Sequence, residues 1–445
     1  MYAQFRNINI RRRNISWRRP VSLMLSTGVL GLAAGLSSGL LALLLKFVEN
    51  LFLNFNETPI LPGPFTTPWF WRATSVTVGG IIAALVWWLL RNRTTSVPSV
   101  SQAVQDKTMP VWQTVVHVST QIFLVGTGAS IGREVAPREA GAMLAGIWMR
   151  LYKRLNLDAE DRRLLVAAAA GAGFAGIYIS PLTGALFSIE ILLKKINTTT
   201  VAVSFSMSVI AAAVGGAIHG FGPYYNVGTE LFQQQLLIFG LIAAPIIGYL
   251  GGWFAKATAW AERYKTTNIH ILWQLPLAAA LTGLVSIWAP EVMGNGRALA
   301  QIAMNASSAN GILLIVLIGG FKALLTILTI RSGASGGTLT PSIAVGASVG
   351  VALGALWNLA MPAIPLWQCA IVGAVALLSA SQQAPLMALM MLMEISHLPI
   401  TAIGPLGLAT CLGVIASRLV LSSTITGDSQ PTPSSLLSKT DVALR

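Results

Sequence analysis

The sequence predicts an all-helical integral membrane protein built from two inverted-topology repeats with broken helices. Three observations lead to this prediction: the composition, a series of long uncharged runs, and an internal repeat. The chain of 445 residues is 54% hydrophobic and only 10% charged, whereas soluble domains carry about 25% charged residues. The composition therefore indicates a protein that crosses a membrane several times.

Uncharged runs long enough to form membrane helices recur along the chain. A helix needs about 20 apolar residues to cross the hydrocarbon layer. Six runs without Asp, Glu, Lys or Arg are candidates for such crossings: 21–45, 73–90, 164–189, 196–229, 231–255 and 332–393. Because the longest runs have room for more than one crossing, we expect about 10 to 14 helical pieces, many of them tilted or broken.

The second half of the chain repeats a pattern of the first half. A Gly-Ala-Ser triplet, a proline that opens an apolar helix, and a second proline 44 residues later recur in the same order. These marks are Gly128, Pro137 and Pro181 in one half, and Gly333, Pro341 and Pro385 in the other. Nine residues after the second proline comes an acid, Glu190 or Glu394, which we expect at a helix end or an interface rather than as a gate. Repeats of this kind are typical of transporters with inverted topology.

The stretch 128–137 is the strongest candidate for a functional site. It places Arg133 and Glu134 directly after 25 residues that include no Asp, Glu, Lys or Arg. Charged residues inside a membrane are costly, and they mark function or pairing. Glycines expose the backbone both here and in the matching stretch 333–341. Since free N–H groups at helix N-termini attract anions, the two stretches predict an anion site.

Motifs in both halves resemble the CLC family of chloride channels and transporters. They are Gly132-Arg133-Glu134 leading into a proline, Gly337-Thr338-Leu339-Thr340-Pro341, and the Ser96-Val97-Pro98 turn. The resemblance covers about residues 21–426. It implies transport of chloride or a similar small anion, by a channel or an anion/proton exchanger, with chloride as the transported ligand and no cofactor. It also implies a homodimer with one pore per subunit, in which the helices bearing Pro181 and Pro385 form the interface.

The same resemblance implies roles for single residues. Glu134 corresponds to the glutamate that gates the pore in the family. The predicted anion-binding residues are Thr95, Ser96, Arg133, Glu134, Val135, Thr338, Leu339 and Thr426. In this assignment hydroxyls near Thr95 and Ser96 cap the inner site, while backbone N–H groups of 133–135 and 338–339 hold the ion. Thr426 takes the place of an inner tyrosine that coordinates chloride in many members.

Departures from the family pattern leave the mechanism open. The stretch from Gly132 to Pro137 is one residue longer than the family's Gly-Arg-Glu-Gly-Pro, and a second Arg-Glu pair follows it, so Glu139 is a rival gate. The internal glutamate of the proton-coupled members is replaced here by Ile191. Passive conduction and proton-coupled exchange are therefore both compatible with the sequence.

The predicted domain organisation is a basic arm, a CLC-like membrane domain and a short polar tail. The arm covers 1–20, the membrane domain 21–426 with repeats at about 21–220 and 230–426, and the tail 427–445. Six arginines in the arm indicate a cytoplasmic N-terminus, in a membrane of the bacterial inner type. No aromatic platform accompanies the net charge of +14, which argues against nucleic acid as a partner.

Other classes of protein fit parts of the sequence. The pattern G-x-S-x-G at 35–39 and 333–337 is that of serine hydrolases, but 42 glycines make chance matches common and neither copy follows a strand. A secondary transporter of another anionic solute would share the repeat and the broken helices, and the paired motifs favour the CLC family over it. The two cysteines and four histidines show no metal-ligand spacing, so no metal site is predicted.

Overall fold

The computed structural model of the protein describes residues 17–152, 157–308 and 311–422. Within these ranges the regular structure is helical, and the one β-type contact is an isolated bridge between Gly132 and Gly337. The predicted all-helical class is confirmed. Residues 1–16 of the basic arm and the whole polar tail lie outside the described ranges.

The α-helices of the described ranges form two sets of eight. The first set is α1 (Arg18–Leu53), α2 (Trp69–Arg93), α3 (Val100–Val104), α4 (Val111–Gly126), α5 (Val135–Leu151), α6 (Ala159–Tyr178), α7 (Pro181–Leu186, continued by a π-helical turn Phe187–Leu193) and α8 (Thr198–His219). The second set is α9 (Gln235–Arg263), α10 (Ile271–Val285), α11 (Arg297–Met304), α12 (Ile312–Arg331), α13 (Leu339–Ala360), α14 (Leu366–Gln382), α15 (Pro385–Ile395) and α16 (Ile403–Leu421). Each set opens on its longest helix and has a short third helix.

The described residues hold more helical pieces than the 10 to 14 expected, because spans that read as continuous are broken. The uncharged run 164–189 is one example: α6 ends where Ile179 takes a left-handed conformation (φ +53°), and α7 begins at Pro181. The second half repeats this device with Gln383 (φ +53°) and Pro385. Proline suits the first helical turn, where its missing N–H is not needed.

Equivalent helices pack in equivalent pairs in the two sets. Helix α5 packs on α6, and α6 on α8, just as α13 packs on α14 and α14 on α16. The long first helices behave in the same way, with α1 on α8 and α9 on α16. Helices α6 and α14 are buried along most of their length and form the centre of each half.

Two acids join the halves reciprocally. The Glu394 carboxylate accepts hydrogen bonds from the backbone N–H groups of Leu182 and Thr183, both at 2.8 Å. The Glu190 carboxylate accepts from the first two N–H groups after Pro385, at 3.2 and 2.8 Å. Each acid, near the end of one helix, thus caps the start of the equivalent helix, so α7 and α15 run antiparallel, as inverted repeats require. The expectation that these acids lie at helix ends is confirmed.

Seven helices of the described ranges are long and apolar enough to cross a membrane, among them α1 and α2. With 36 residues, α1 is about 54 Å long, so its two ends lie at opposite membrane faces. We call the face of the N-terminus the N-side and the face of the 54–68 loop the far side. Because α2 returns from the far side, the loop 94–110 lies on the N-side.

Replacing Glu394 with alanine should lower the free energy of unfolding by about 0.5–2 kcal/mol, the usual cost of losing a helix cap. The reason is that two N–H groups of α7 lose their carboxylate partner. Glu190→Ala should have the same effect at α15. Thermal unfolding in detergent micelles measures both. The matched control is Glu160→Ala, which removes an exposed carboxylate paired with Lys195 and should change the free energy of unfolding much less. Wild-type unfolding of all three variants would contradict this account.

Candidate anion site

The two glycine-rich stretches meet through their backbones. The Gly132 N–H donates to the Gly337 carbonyl, and the Gly337 N–H donates to the Gly132 carbonyl, both at 2.8 Å. The approach needs glycine, because a Cβ atom on Gly336 would lie 2.9 Å from the Gly132 oxygen. Helix α5 begins three residues beyond this bridge, at Val135, and α13 begins two residues beyond it, at Leu339. Their N-termini are therefore brought to one point.

Glu134 lies at that point, as the residue before the first turn of α5. Its side chain is fully buried, and its Oε1 atom accepts a hydrogen bond of 2.6 Å from the Leu339 N–H at the start of α13. Its Oε2 atom is buried and has no hydrogen-bond partner among the described residues. Arg138 holds the backbone from the next turn, since its Nε donates to the Glu134 carbonyl at 2.7 Å. One of the N–H groups predicted to bind an anion is thus taken by the predicted gate.

Two cavities approach Glu134 from opposite sides. The N-side cavity, about 400 Å³, is lined by Val135, Thr338 and Leu339. The far-side cavity, about 230 Å³, is lined by Arg133. Glu134 lies between Arg133 and Val135 in the chain and lines neither cavity. The residues on either side of this buried carboxylate in the chain thus line two different cavities, whose walls hold other predicted residues of this segment.

Charges of both signs line the N-side cavity. Arg138 and Lys265 line it together with Glu139 and Glu262. Lys265, in the loop after α9, donates to Glu262 at 2.7 Å, and burial lowers the pKa of its ammonium group. Glu139 accepts a hydrogen bond of 2.6 Å from Gln121. The two candidate gates therefore have different partners: Glu134 accepts from the Leu339 N–H, and Glu139 accepts from Gln121.

The far-side cavity contains a network that the motifs did not indicate. Glu57, from the loop after α1, lies 3.3 Å from an Nη atom of Arg133 and 3.1 Å from an Nη atom of Arg297. The Tyr224 hydroxyl donates to the same carboxylate at 3.1 Å. Burial works against ionisation of Glu57, but the charges of Arg133 and Arg297 outweigh it and lower the pKa of this carboxyl below its usual value.

Lys322 is a second residue that the motif comparison missed. It is fully buried in α12, where its Nζ donates to the carbonyls of Val292 and Gly294 at 2.9 and 2.6 Å. The Gly294 carbonyl also accepts a 3.3 Å hydrogen bond from Ile131, beside the glycine bridge. A signal was available, because Lys322 is the one charged residue between Arg297 and Arg331.

The predicted hydroxyls, Thr95 and Ser96, belong to the 94–110 loop. Thr95 and Ser96 are exposed, and the loop residue that lines the N-side cavity is Ser99. Ser99 caps α3 in a capping box with Gln102, a Ser-x-x-Gln spacing visible in the sequence. The binding role of Thr95 and Ser96 stays a prediction. Thr426 lies outside the described residues.

Comparison with known proteins identifies the family. The sequence profile described as voltage gated chloride channel matches residues 78–418. This chain belongs to the CLC family. A ClcB-like protein of Ralstonia nicotianae is 30% identical to this CLC chain over 365 residues, which are 79% of this chain and 83% of the relative. The voltage-gated ClC-type chloride channel ClcB of Salmonella typhimurium is 28% identical over 396 residues, 84% and 90% of the two chains.

Solved structures share the fold of this CLC chain. A slow cyanobacterial Cl⁻/H⁺ antiporter superposes with a TM-score of 0.73 at 21% identity, covering 92% of this chain and 99% of its own. A eukaryotic CLC transporter gives 0.71 at 19% identity, covering 92% and 75%. The predicted family and the repeat architecture are confirmed. So is the expected class, since the members of this family are channels and transporters of anions, which places the chain outside the hydrolases.

Substituting Gly337 with alanine should displace the Glu134 carboxylate from the Leu339 N–H. An added Cβ would lie 1.9 Å from Glu134 Oε1, and the flexible carboxylate is the group that can move away. Structure determination of the variant by electron cryomicroscopy is the direct measurement. Gly320→Ala is the matched control, because its Cβ would meet no atom within 4 Å. A carboxylate still bonded to Leu339 in Gly337→Ala would refute this reading of the contact.

Proposed function

We propose that this CLC protein moves chloride or a similar small anion between the N-side and far-side cavities, with Glu134 as the gate. One observation carries the proposal: the fully buried Glu134 carboxylate is bonded to the Leu339 N–H, and its chain neighbours Arg133 and Val135 line one cavity each. In this proposal the path that joins the cavities passes this carboxylate. The chain is then closed in the conformation described here.

The gate works because a carboxylate and a chloride ion compete for the same donors. Helices α5 and α13 direct their N-termini to this point, and each helix dipole places roughly half a positive charge there. Both anions carry one negative charge and accept N–H hydrogen bonds. When the carboxylate swings away, the backbone N–H groups of 133–135 and 338–339 are free to hold the ion. The hydroxyls of Thr95 and Ser96, and Thr426, belong to the proposed inner end of the path.

Glu134 is a better candidate than Glu139 on the contacts of the two side chains. Glu139 is held by Gln121 and lies 3.5 Å from His117, away from the Leu339 N–H. Glu139 lines the N-side cavity, whereas Glu134 lines neither cavity. We therefore assign gating to Glu134.

Exchange of the anion for protons is the second candidate mode. The residue that replaces the family's inner glutamate, Ile191, packs against the hydrophobic core. Protons entering from the N-side would need another acceptor. The pair formed by Glu139 and His117 is a buried titratable pair, and Glu139 reaches that cavity, which keeps exchange open.

The flux test uses purified protein in liposomes, with chloride efflux and internal pH recorded together. Glu134→Ala should raise chloride efflux by about tenfold, the equivalent of one charge-assisted hydrogen bond that no longer has to be broken. It should also remove the pH dependence of the flux, because the competing carboxylate is gone. Glu139→Ala is measured in parallel, and with Glu134 as the gate of a passive conductor it should keep that dependence.

The outcomes separate the alternatives. An inactive Glu134→Ala together with an open Glu139→Ala would assign the gate to Glu139. Proton movement driven uphill by a chloride gradient would establish an exchanger, and chloride flux without it a channel. No flux of any inorganic anion would favour a transporter of another anionic solute.

We also propose a homodimer in a bacterial inner membrane, with the N-terminus in the cytoplasm. Exposed Leu182 and Leu386, at the starts of α7 and α15, support an interface on these helices. Sedimentation in detergent should show a dimer that Leu386→Trp weakens, and a monomeric wild type would overturn the assembly.

A cysteine introduced at Tyr2 should resist impermeant thiol reagents in intact cells, because the proposed orientation places the N-terminus in the cytoplasm. Ready labelling of this cysteine would reverse the orientation.

A further inference from the structure

The donors around Glu57 converge on a single carboxylate. The two guanidinium groups of Arg133 and Arg297 and the Tyr224 hydroxyl all reach it, at 3.3, 3.1 and 3.1 Å. The side chains of both arginines are at most 10% exposed, and that of Glu57 is 8% exposed. Such a cluster has the composition of an anion-binding site, since arginine and tyrosine supply donors and the charge is positive.

The donors are held in place by contacts other than Glu57. Arg297 donates through Nε to the Tyr224 carbonyl at 2.9 Å, and its guanidinium group stacks 4.1 Å from the Tyr224 ring. The Tyr224 hydroxyl accepts a 2.8 Å hydrogen bond from Asn295. Arg133 lies 5.5 Å from the Tyr178 ring centre. The donor set is therefore built independently of the carboxylate that fills it.

Arg133 has donor capacity to spare. Its Nε is buried and has no hydrogen-bond partner among the described residues, in a side chain that lines the far-side cavity. The remaining charged or titratable groups of that cavity are Lys46, Glu49, Tyr178 and His219. Glu49 accepts a 3.2 Å hydrogen bond from the Glu57 backbone N–H, which positions the loop, and it also interacts electrostatically with Arg133. A second anion acceptor beside Arg133 is compatible with this environment.

We propose that Arg133, Arg297 and Tyr224 form a far-side binding site for the transported anion, and that Glu57 is a tethered competitor for it. The anion must be small and monovalent, because it replaces one carboxylate among three donors. One of the residues that bind it, Arg133, directly precedes Glu134 in the chain. The proposal rests on anion transport by this chain and does not depend on which glutamate is the gate.

The role of a competitor fits the placement of Glu57 on a loop, which a permanent ion pair would not require. Glu57 belongs to a connecting loop, whereas Arg133 and Arg297 lie beside or within helices that the fold holds in place. A loop carboxylate can withdraw while the donors stay, as a displaceable group requires. An anion arriving from the far side finds the donors and the competitor in the same cavity.

The test compares anion binding to the wild type and to Glu57→Gln, which keeps the size of the side chain and removes its charge. Calorimetric titration of the purified protein with chloride should show affinity about tenfold higher in the variant, because the ion no longer displaces a charge-assisted partner. Bromide soaked into crystals of Glu57→Gln should give anomalous signal between the two guanidinium groups. The matched control is Glu230→Gln, which removes an exposed charge from the same far-side loop region and should bind chloride like the wild type.

Several results would overturn the proposal. Unchanged chloride affinity in Glu57→Gln with no bromide near Arg133 would make Glu57 a structural ion-pair partner only. Equal gains in Glu57→Gln and Glu230→Gln would assign the effect to overall surface charge. If Glu57→Gln does not fold, Glu57→Asp retains the charge with a shorter reach and should bind chloride more tightly than the wild type. Both readouts are equilibrium binding, so their failure is distinct from a failure of Glu134 gating, which the flux test reports.

Discussion

The reciprocal backbone pairing of Gly132 with Gly337 is the constraint on which the rest of this structure depends. It joins equivalent points of the two repeats and makes α5 and α13 begin side by side. An unpaired N–H group inside a membrane costs several kcal/mol, so helix starts buried there need acceptors. The protein supplies one such acceptor from its own chain, the Glu134 carboxylate. Because an anion can accept the same N–H hydrogen bond, this point also suits an anion.

Carboxylates recur in this fold as partners for groups that would also accept an anion. Glu190 and Glu394 occupy helix N-termini at the junction of the two repeats, where they join the halves. Glu134 occupies a helix N-terminus whose neighbouring residues line both cavities, and Glu57 occupies an arginine pair at the wall of one cavity. The chemistry is shared, and the neighbours separate the uses: Glu190 and Glu394 join the repeats away from these two cavities, whereas Glu134 and Glu57 lie on or next to the residues that line them.

The sequence was most informative where chemistry and spacing coincide locally. The repeat predicted the paired halves, and the Gly-Arg-Glu motif led directly to Glu134. Glu57 and Arg297 could not be found in this way, because a loop residue and the first residue of α11, far apart in the chain, meet through contacts that no spacing encodes. Ser99 rather than Thr95 lines the N-side cavity because the path of a loop after a helix end sets which of its residues reach the cavity wall, and a motif does not.

The reciprocal caps also impose an order on biogenesis. The N–H groups that open α7 are capped by an acid 212 residues further along the chain. At synthesis rates of about 5–20 residues per second, Glu394 emerges roughly 10–40 s after Leu182. During this interval α7 has entered the bilayer region with its first turn uncapped, in need of water, lipid headgroups or the insertion machinery as temporary partners. The first repeat is therefore an assembly intermediate that only the translation of the second repeat completes.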